Sequence, residues 1–282
     1  MDPRTSRLTR RAALLGFAAA TVAPAVARAA QAPRRNHFAL EHVDVRLASL
    51  DPAHDGLLVV QLSDLHIGWG VPEPRIAAAI AAVNALKPDL VVLTGDFITT
   101  KRDSVAAVPE LLRELQVPSV AVLGNHDHWT YPAELTSALE GLGISVLRNQ
   151  HTAVQLRGAP FSVIGIDDGA TKHDDAVAAF RGAPTRSALV LTHTPAAAKH
   201  LPDGAGVLCL SGHTHGGQLE VGNLTGDLFR AFGQPWYRGS YGVNGNRLYV
   251  NRGLGFGRGT AYPRLNSEPE VTLFTLRHDE VA

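Results

Sequence analysis

The sequence predicts an α/β fold, on three observations. Apolar, β-rich runs recur at 57–62, 90–93, 119–123, 161–166, 188–191 and 207–210. Ala-rich stretches of helical character separate several of them. The chain has 282 residues, of which 45% are hydrophobic and 18% charged, which is ordinary for a globular protein and enough to bury a substantial core. Strand alternating with helix argues for helices that cover a largely parallel sheet.

In chain order, residues 1–29 stand apart. Arg4, Arg7, Arg10 and Arg11 face a single Asp2, and an uncharged Ala-rich stretch at 12–27 follows, with Ala-X-Ala patterns ending at Ala27 and Ala29. A basic start, a short apolar core and a small-residue exit make a secretory signal, and Arg10-Arg11 marks the twin-arginine kind. The apolar stretch is short and broken by Pro24, against the ~20 residues of a membrane span. An uncleaved signal serving as an anchor is the alternative. The expected location is the periplasm or cell envelope, reached through the twin-arginine export machinery. Residues 30–56 read as a leader and first strand, and 57–282 as one domain without internal repeats. The run at 57–62 leads to a helix over 72–86, the run at 90–93 to one over 104–115, and the run at 119–123 to one over 131–142. From 218 onward the pattern changes to short Gly-bounded strands, such as 247–250 and 271–276, and no helix is expected.

Charge and cysteine content narrow the chemistry. Lys+Arg and Asp+Glu number 26 each, and without residues 1–29 the balance is 21 basic to 25 acidic. Nucleic acid, whose binding wants a strongly basic face, is not an expected partner. The single Cys209 excludes an intramolecular disulfide and any thiolate-rich metal site, and reads as buried packing. Thirteen histidines point to ligation by imidazole, carboxylate and amide instead.

The informative residues sit where the apolar runs stop. The run at 57–62 ends in Ser63-Asp64-Leu65-His66, that at 90–93 in Thr94-Gly95-Asp96, and that at 119–123 in Gly124-Asn125-His126-Asp127. The run at 188–191 ends in Thr192-His193, and that at 207–210 in Ser211-Gly212-His213-Thr214-His215. In an open α/β sheet the carboxyl ends of the strands share one edge, where ligands bind. Asp64, His66, Asp96, Asn125, His193, His213 and His215 are oxygen and imidazole donors suited to Mn²⁺, Fe or Zn²⁺. They exceed what one open catalytic metal needs, and a carboxylate shared between two divalent ions would use them all. Members of the pairs Asp64/His66 and His213/His215 are two apart, so an extended backbone would present each pair on one side.

Together these five segments resemble the calcineurin-like metallophosphoesterase superfamily. The likeness runs from Leu57 to the carboxyl terminus. Gly212-His213-Thr214-His215-Gly216-Gly217-Gln218 with Asn251-Arg252-Gly253-Leu254-Gly255 looks like the branch of twin-arginine-exported phosphodiesterases related to UDP-2,3-diacylglucosamine hydrolases. The resemblance implies two mixed β-sheets packed face to face, flanked by helices in four layers, with a dinuclear centre at the strand ends. It implies one metal on Asp64, His66, Asp96 and His215, and a second on Asp96, Asn125, His193 and His213. It also implies a metal-bridging hydroxide attacking phosphorus, and His126 protonating the leaving group while Asp127 orients its ring. Trp69, His128 and Arg264 are the expected substrate contacts, with Tyr262 beside Arg264 at the entry to the last strand.

The expected function is therefore phosphoester hydrolysis, more readily of diesters than of monoesters, with a lipid-linked or UDP-diacylglucosamine-like substrate suggested by the branch. Export counts against a role in lipid A synthesis, whose nucleotide-sugar intermediate is cytoplasmic. A broad-range phosphomonoesterase and a non-catalytic metal-binding envelope protein are the alternatives; His126-Asp127 beside a complete ligand set speaks against the second. Between 218 and 241 lie Leu224, Leu228, Phe229, Phe232, Trp236 and Tyr237 with Arg230 and Arg238, in irregular spacing. Two readings stand for 224–238: contact with a membrane surface, or a local core packed over the sheet edge.

Overall fold

Strands that are apolar at nearly every position must be covered on both faces, and the fold supplies that cover. The computed structural model describes residues 36–68, 73–99, 103–184, 189–256 and 264–279, so residues 1–29, the expected export signal, and Trp69 and Tyr262 lie outside the described residues. Strands β1 (Ala39–Leu47), β2 (Leu57–Leu62), β3 (Leu90–Thr94), β4 (Ser119–Val122) and β5 (Ser145–Val146) form one sheet with the last strand of the chain, β12 (Glu270–His278). Its order is β1-β12-β2-β3-β4-β5. The second sheet holds β6 (Gln150–Leu156), β7 (Ala159–Gly165), β8 (Leu189–Leu191), β9 (Leu208–Ser211), β10 (Gly239–Val243) and β11 (Asn246–Val250), in the order β10-β11-β9-β8-β7-β6.

Both sheets are mixed. β2 through β5 run parallel, and β12 enters antiparallel to β2. In the second sheet β7, β8, β9 and β11 are parallel, while β6 and β10 are antiparallel additions at the edges. A single largely parallel sheet, the reading from alternation alone, is thus corrected to the two-sheet arrangement that the resemblance implies. Val59, Val92, Val120 and Phe274 of the first sheet pack against Val163, Leu189, Leu191 and Leu210 of the second in one continuous core. β3, β4, β8 and β9 are buried at every residue, as strands covered on both faces should be.

Helices complete the outer layers. α1 (Glu73–Leu86), α2 (Asp103–Leu112) and α4 (Pro132–Glu140) cover the first sheet, where Ile76, Ile80, Val108 and Leu135 meet Val91, Leu93 and Ala121. The six-residue α3 (Asn125–Thr130) lies between β4 and α4. α5 (Ala176–Phe180) and the turn at Pro195–His200 cover the second sheet, and Cys209 is buried beneath them.

One expectation fails outright. A nine-residue helix, α6 (Asn223–Ala231), occupies the stretch where none was expected. Its protein-facing residues are Thr225, Gly226 and Phe229, while Leu224 and Leu228 are exposed. The helix sets Phe229 with two small residues inward and leaves two leucines outward, so its apolar side chains divide between two faces.

Candidate metal centre

Five strand ends meet at one place, three from the first sheet and two from the second. β2, β3 and β4 deliver Asp64, His66, Asp96 and Asn125, while β8 and β9 deliver His193, His213 and His215. Gln61, buried near the end of β2, ties the sheets together beneath the centre. Its Nε2 donates to Thr94 Oγ1 at 2.9 Å and to Ser211 O in the other sheet at 3.0 Å.

The donor atoms gather at two poles. At the first, His66 Nε2 lies 3.1 Å from His215 Nε2 and 3.6 Å from Asp96 Oδ2, and His215 Nε2 lies 3.4 Å from Asp64 Oδ1. At the second, His193 Nε2 is 3.3 Å from Asp96 Oδ2 and 3.2 Å from Asn125 Oδ1, and His213 Nδ1 is 2.8 Å from Asn125 Oδ1. Asp96 Oδ2 belongs to both. His193 Nδ1 donates to Thr94 O at 2.7 Å, which fixes the ring with Nε2 facing the centre. Lone-pair nitrogens within about van der Waals contact of one another and of carboxylates have one economical partner, a cation. The residues present therefore fit two divalent ions, in the sets of four that the resemblance implies.

The backbone is bent to make this geometry. Asp64, His66, Asp96, His213 and His215 all have positive φ, from 47 to 72°, a region costly for residues with a side chain and tolerated where function holds it. The expectation of extended backbone presenting each pair on one side is corrected: His213 and His215 turn to different poles. Close approach keeps the bends in place. A Cβ on Gly124 would stand 2.2 Å from Asp96 Oδ1, and one on Gly253 (φ +72°) would stand 2.6 Å from Asp64 Cβ.

Burial and mutual charge set the protonation states. Burial pushes His66 down to about 3, against the pull of Asp96, and His213 down to about 4, with the neighbouring His193 adding to it. His215 is held well below its ordinary value by burial and by His66. These rings stay neutral, the form that ligates. Burial would also lower His193, but the charge of Asp96 and its hydrogen bond outweigh this and raise it. Asp96 is the converse: burial would raise it, and His193 followed by His66 hold it below the usual carboxylate range. Burial lifts Asp64 to about 6 against the opposing charge of His193.

His126 stands beside the first pole, its ring centroid 5.0 Å from that of His66. Its Nδ1 is 3.1 Å from Thr99 O, and its backbone N donates to Asp96 Oδ1 at 2.9 Å. Asp127 does not orient that ring, which corrects the expected role. Its carboxylate accepts from Gly124 N at 2.9 Å and Ile98 N at 3.2 Å, so it caps α3 and holds the 96–98 loop. The ring of His126 is set by Thr99 instead.

The described substrate contacts are placed elsewhere. His128 Nε2 meets Asp167 Oδ1 at 2.6 Å, its side chain is only 3% exposed, and its ring stacks on His173. Arg264 does not offer its guanidinium to a phosphate. Nη2 donates to the carbonyls of Arg252, Gly253 and Gly255 at 2.7, 3.0 and 2.6 Å, and lies 3.0 Å from His215 Nδ1. It clamps the loop that carries Gly253 against Asp64. Two carboxylates were overlooked in the sequence. Asp167 and Asp168 follow the strand at 159–165, and both are buried. Asp168 accepts from Thr194 Oγ1 at 2.5 Å, next to His193, and its charge favours the protonated form of that ring. The signal was available, since they too sit where an apolar run stops.

Comparison with known proteins agrees with this geometry. Residues 57–217 match the calcineurin-like phosphoesterase family. The uncharacterized metallophosphoesterase YkuE of Bacillus subtilis (strain 168) is 33% identical, over 84% of this chain and 84% of its own length. The phosphodiesterase YaeI of Escherichia coli (strain K12) is 34% identical over 77% of this chain and 81% of its own. The UDP-2,3-diacylglucosamine pyrophosphatase LpxG of Chlamydia trachomatis serovar D is 29% identical over 77% and 83% respectively.

Proposed function

With the chain a member of the calcineurin-like phosphoesterase family, a hydrolase of phosphoester bonds, we propose that it cleaves phosphodiesters and that its natural substrate is lipid-linked. The observation that carries the first half is the pair of four-donor poles sharing Asp96, with His126 alongside. Divalent ions held there would lower the pKa of coordinated water and offset phosphoryl charge; the residues do not choose among Mn²⁺, Fe and Zn²⁺.

The remaining steps belong to side chains. Thr99 O fixes the Nδ1 proton of His126, and Nε2 has no hydrogen-bond partner among the described residues. A proton held at Nε2 is in place to pass to the departing alkoxide, a general-acid contribution of roughly 10²–10⁴-fold. Preference for a diester is supported by the printed name of the YaeI relative, a phosphodiesterase. Arg264 is committed to backbone carbonyls. The lipid-linked half is supported by the printed activity of the LpxG relative, which acts on a diacylated nucleotide sugar. Export by the twin-arginine route, to the periplasm or envelope, is supported by Arg10-Arg11 and the apolar stretch after them.

Turnover of bis-p-nitrophenyl phosphate and p-nitrophenyl phosphate by protein stripped of metal and reloaded with Mn²⁺ or Zn²⁺ tests the reading, beside the His126→Ala variant. Metal-dependent diester cleavage should fall by about 10²–10⁴-fold in kcat in the variant while both metals stay bound. Faster monoester than diester hydrolysis, or an undiminished variant, would refute it.

A further inference from the structure

Helix α6 has one side committed to the protein and one edge committed to nothing. Thr225 and Gly226 are buried, and Phe229 stacks on Tyr237 with centroids 5.0 Å apart. A neighbouring edge carries Leu224 (56% exposed), Leu228 (49%) and, at the C-cap, Phe232 (81%). Successive members are four apart and so form a single line down the helix. Leu219 and Val221, just before the helix, are also exposed. Among the described residues eight large hydrophobic side chains are exposed, and five of them fall within 219–232. Scattered apolar residues on a surface need no explanation; a contiguous set does.

The position of this edge says what covers it. α6 packs on the turn that carries His215, for a Cβ on Gly217 would meet Thr225 Cγ2 at 2.6 Å and the Phe229 ring at 3.5 Å. Near His126 stands another exposed apolar group, Trp129, 64% exposed and edge-on to the His126 ring at 5.1 Å. Exposed apolar side chains therefore adjoin two rings that both lie against His66 on the first-pole side of the centre, His126 and His215. A second copy of the chain seated there would cover that pole. A lipid surface would instead present phosphoesters to it.

Charge fits the same occupant. Asp227, the exposed acid of the segment, pairs with Arg230 at 2.5 Å, and Glu220 is buried with Arg238 3.5 Å away, so neither presents a bare carboxylate to headgroup phosphates. On the helical wheel the Asp227–Arg230 pair lies to one flank of the leucines, where an interfacial helix keeps its charges at headgroup level. No helix among the described residues is long and apolar enough to cross a membrane, so the contact is one of lying on the surface.

We propose that α6 is a membrane-surface helix: Leu224, Leu228 and Phe232, with Leu219 and Val221, enter the interfacial layer of a bilayer and hold the metal centre against lipid phosphoesters. The proposal rests on the lipid-linked substrate reading and gives it a surface.

The buried Cys209 makes a direct test practical, because a maleimide dye will react with an introduced surface thiol in its place. Phe232→Cys and Val177→Cys, the latter exposed on α5, are labelled with nitrobenzoxadiazole in the full chain. Each is mixed with phosphatidylcholine–phosphatidylglycerol vesicles. Emission from the label at 232 should rise severalfold and shift to the blue, while the label at 177 should stay unchanged. No rise at 232 overturns the proposal even if the protein sediments with the vesicles through another segment. Vesicle-independent dimerisation that buries the label at 232 overturns it in favour of a self-interface. Cleavage of bis-p-nitrophenyl phosphate by the labelled protein, measured in parallel, keeps failure of the site separate from failure of the surface. Insertion at 232 without hydrolysis of any vesicle phosphodiester supports the docking and refutes the lipid substrate.

Discussion

Two regions meet at His215, and they are built on opposite rules. The metal centre is polar and buried: Asp64, His66, Asp96, His193 and His215 are each less than a tenth exposed, on backbone bent to positive φ or pinned by hydrogen bonds. The adjoining segment 219–232 is apolar and exposed. Each region breaks the usual partition of side chains. Buried imidazoles and carboxylates crowded at one place call for cations, and exposed leucines without protein cover call for an apolar surface. The contrast teaches that departures from ordinary burial, more than the burial itself, mark where a protein meets something else.

The comparison is tested most severely at the shared carboxylate. Asp96→Asn should loosen both cations and lower turnover on the order of 10³-fold or more; metal analysis after dialysis showing two full equivalents would break the two-pole picture. Gly253→Ala sharpens it. The added methyl falls on Asp64, which the resemblance gives to the first pole alone. Affinity at that pole and turnover should drop about 10–100-fold while the second pole keeps its ion. Titration showing equal loss at both poles would contradict the assignment.

A smaller effect concerns Asp127 in metal-free protein. Burial, and then the charge of Asp96, push its carboxyl from 3.8 up to about 8. A folded pKa above the unfolded one means that the folded state holds the proton more tightly. The stability so contributed is complete below about pH 4 and is lost as pH rises to about 8. Urea unfolding of wild type and Asp127→Asn should show the wild type losing ground to the variant across that window. A gap that does not change with pH would show an ordinary carboxylate. The smallest effect is expected on the exposed side of the comparison. Leu228→Ser should shift folding stability by no more than about 0.5 kcal/mol, and a clearly larger loss on thermal unfolding would mean that the edge is covered by the protein itself.

The ligands were legible in the sequence because strand ends concentrate ligands, and each apolar run stops at a hard donor beside a glycine or small polar residue. The same rule covered Asp167-Asp168, where it was not applied. What those ends share was not legible. Strand pairing is non-local: β12, from the end of the chain, inserts between β1 and β2, and the five ligand-bearing strands divide between two sheets. The role of Asp127 was taken from the resemblance, whereas the start of α3 turns its carboxylate back onto Gly124 N. The role of Arg264 was likewise taken from the resemblance at the entry to the last strand, and only the fold shows its fork filled by carbonyls.

By itself, then, the sequence determined the chemical kind of this protein, since donor type and strand-end spacing are local properties written in consecutive residues. Tertiary structure decided the rest: how the donors gather in space, which charges are already committed, and which side of α6 faces outward. Those are relations between residues far apart in the chain, such as Asp64 with His215 or Gln61 with Ser211, and no local pattern contains them until packing brings the partners together.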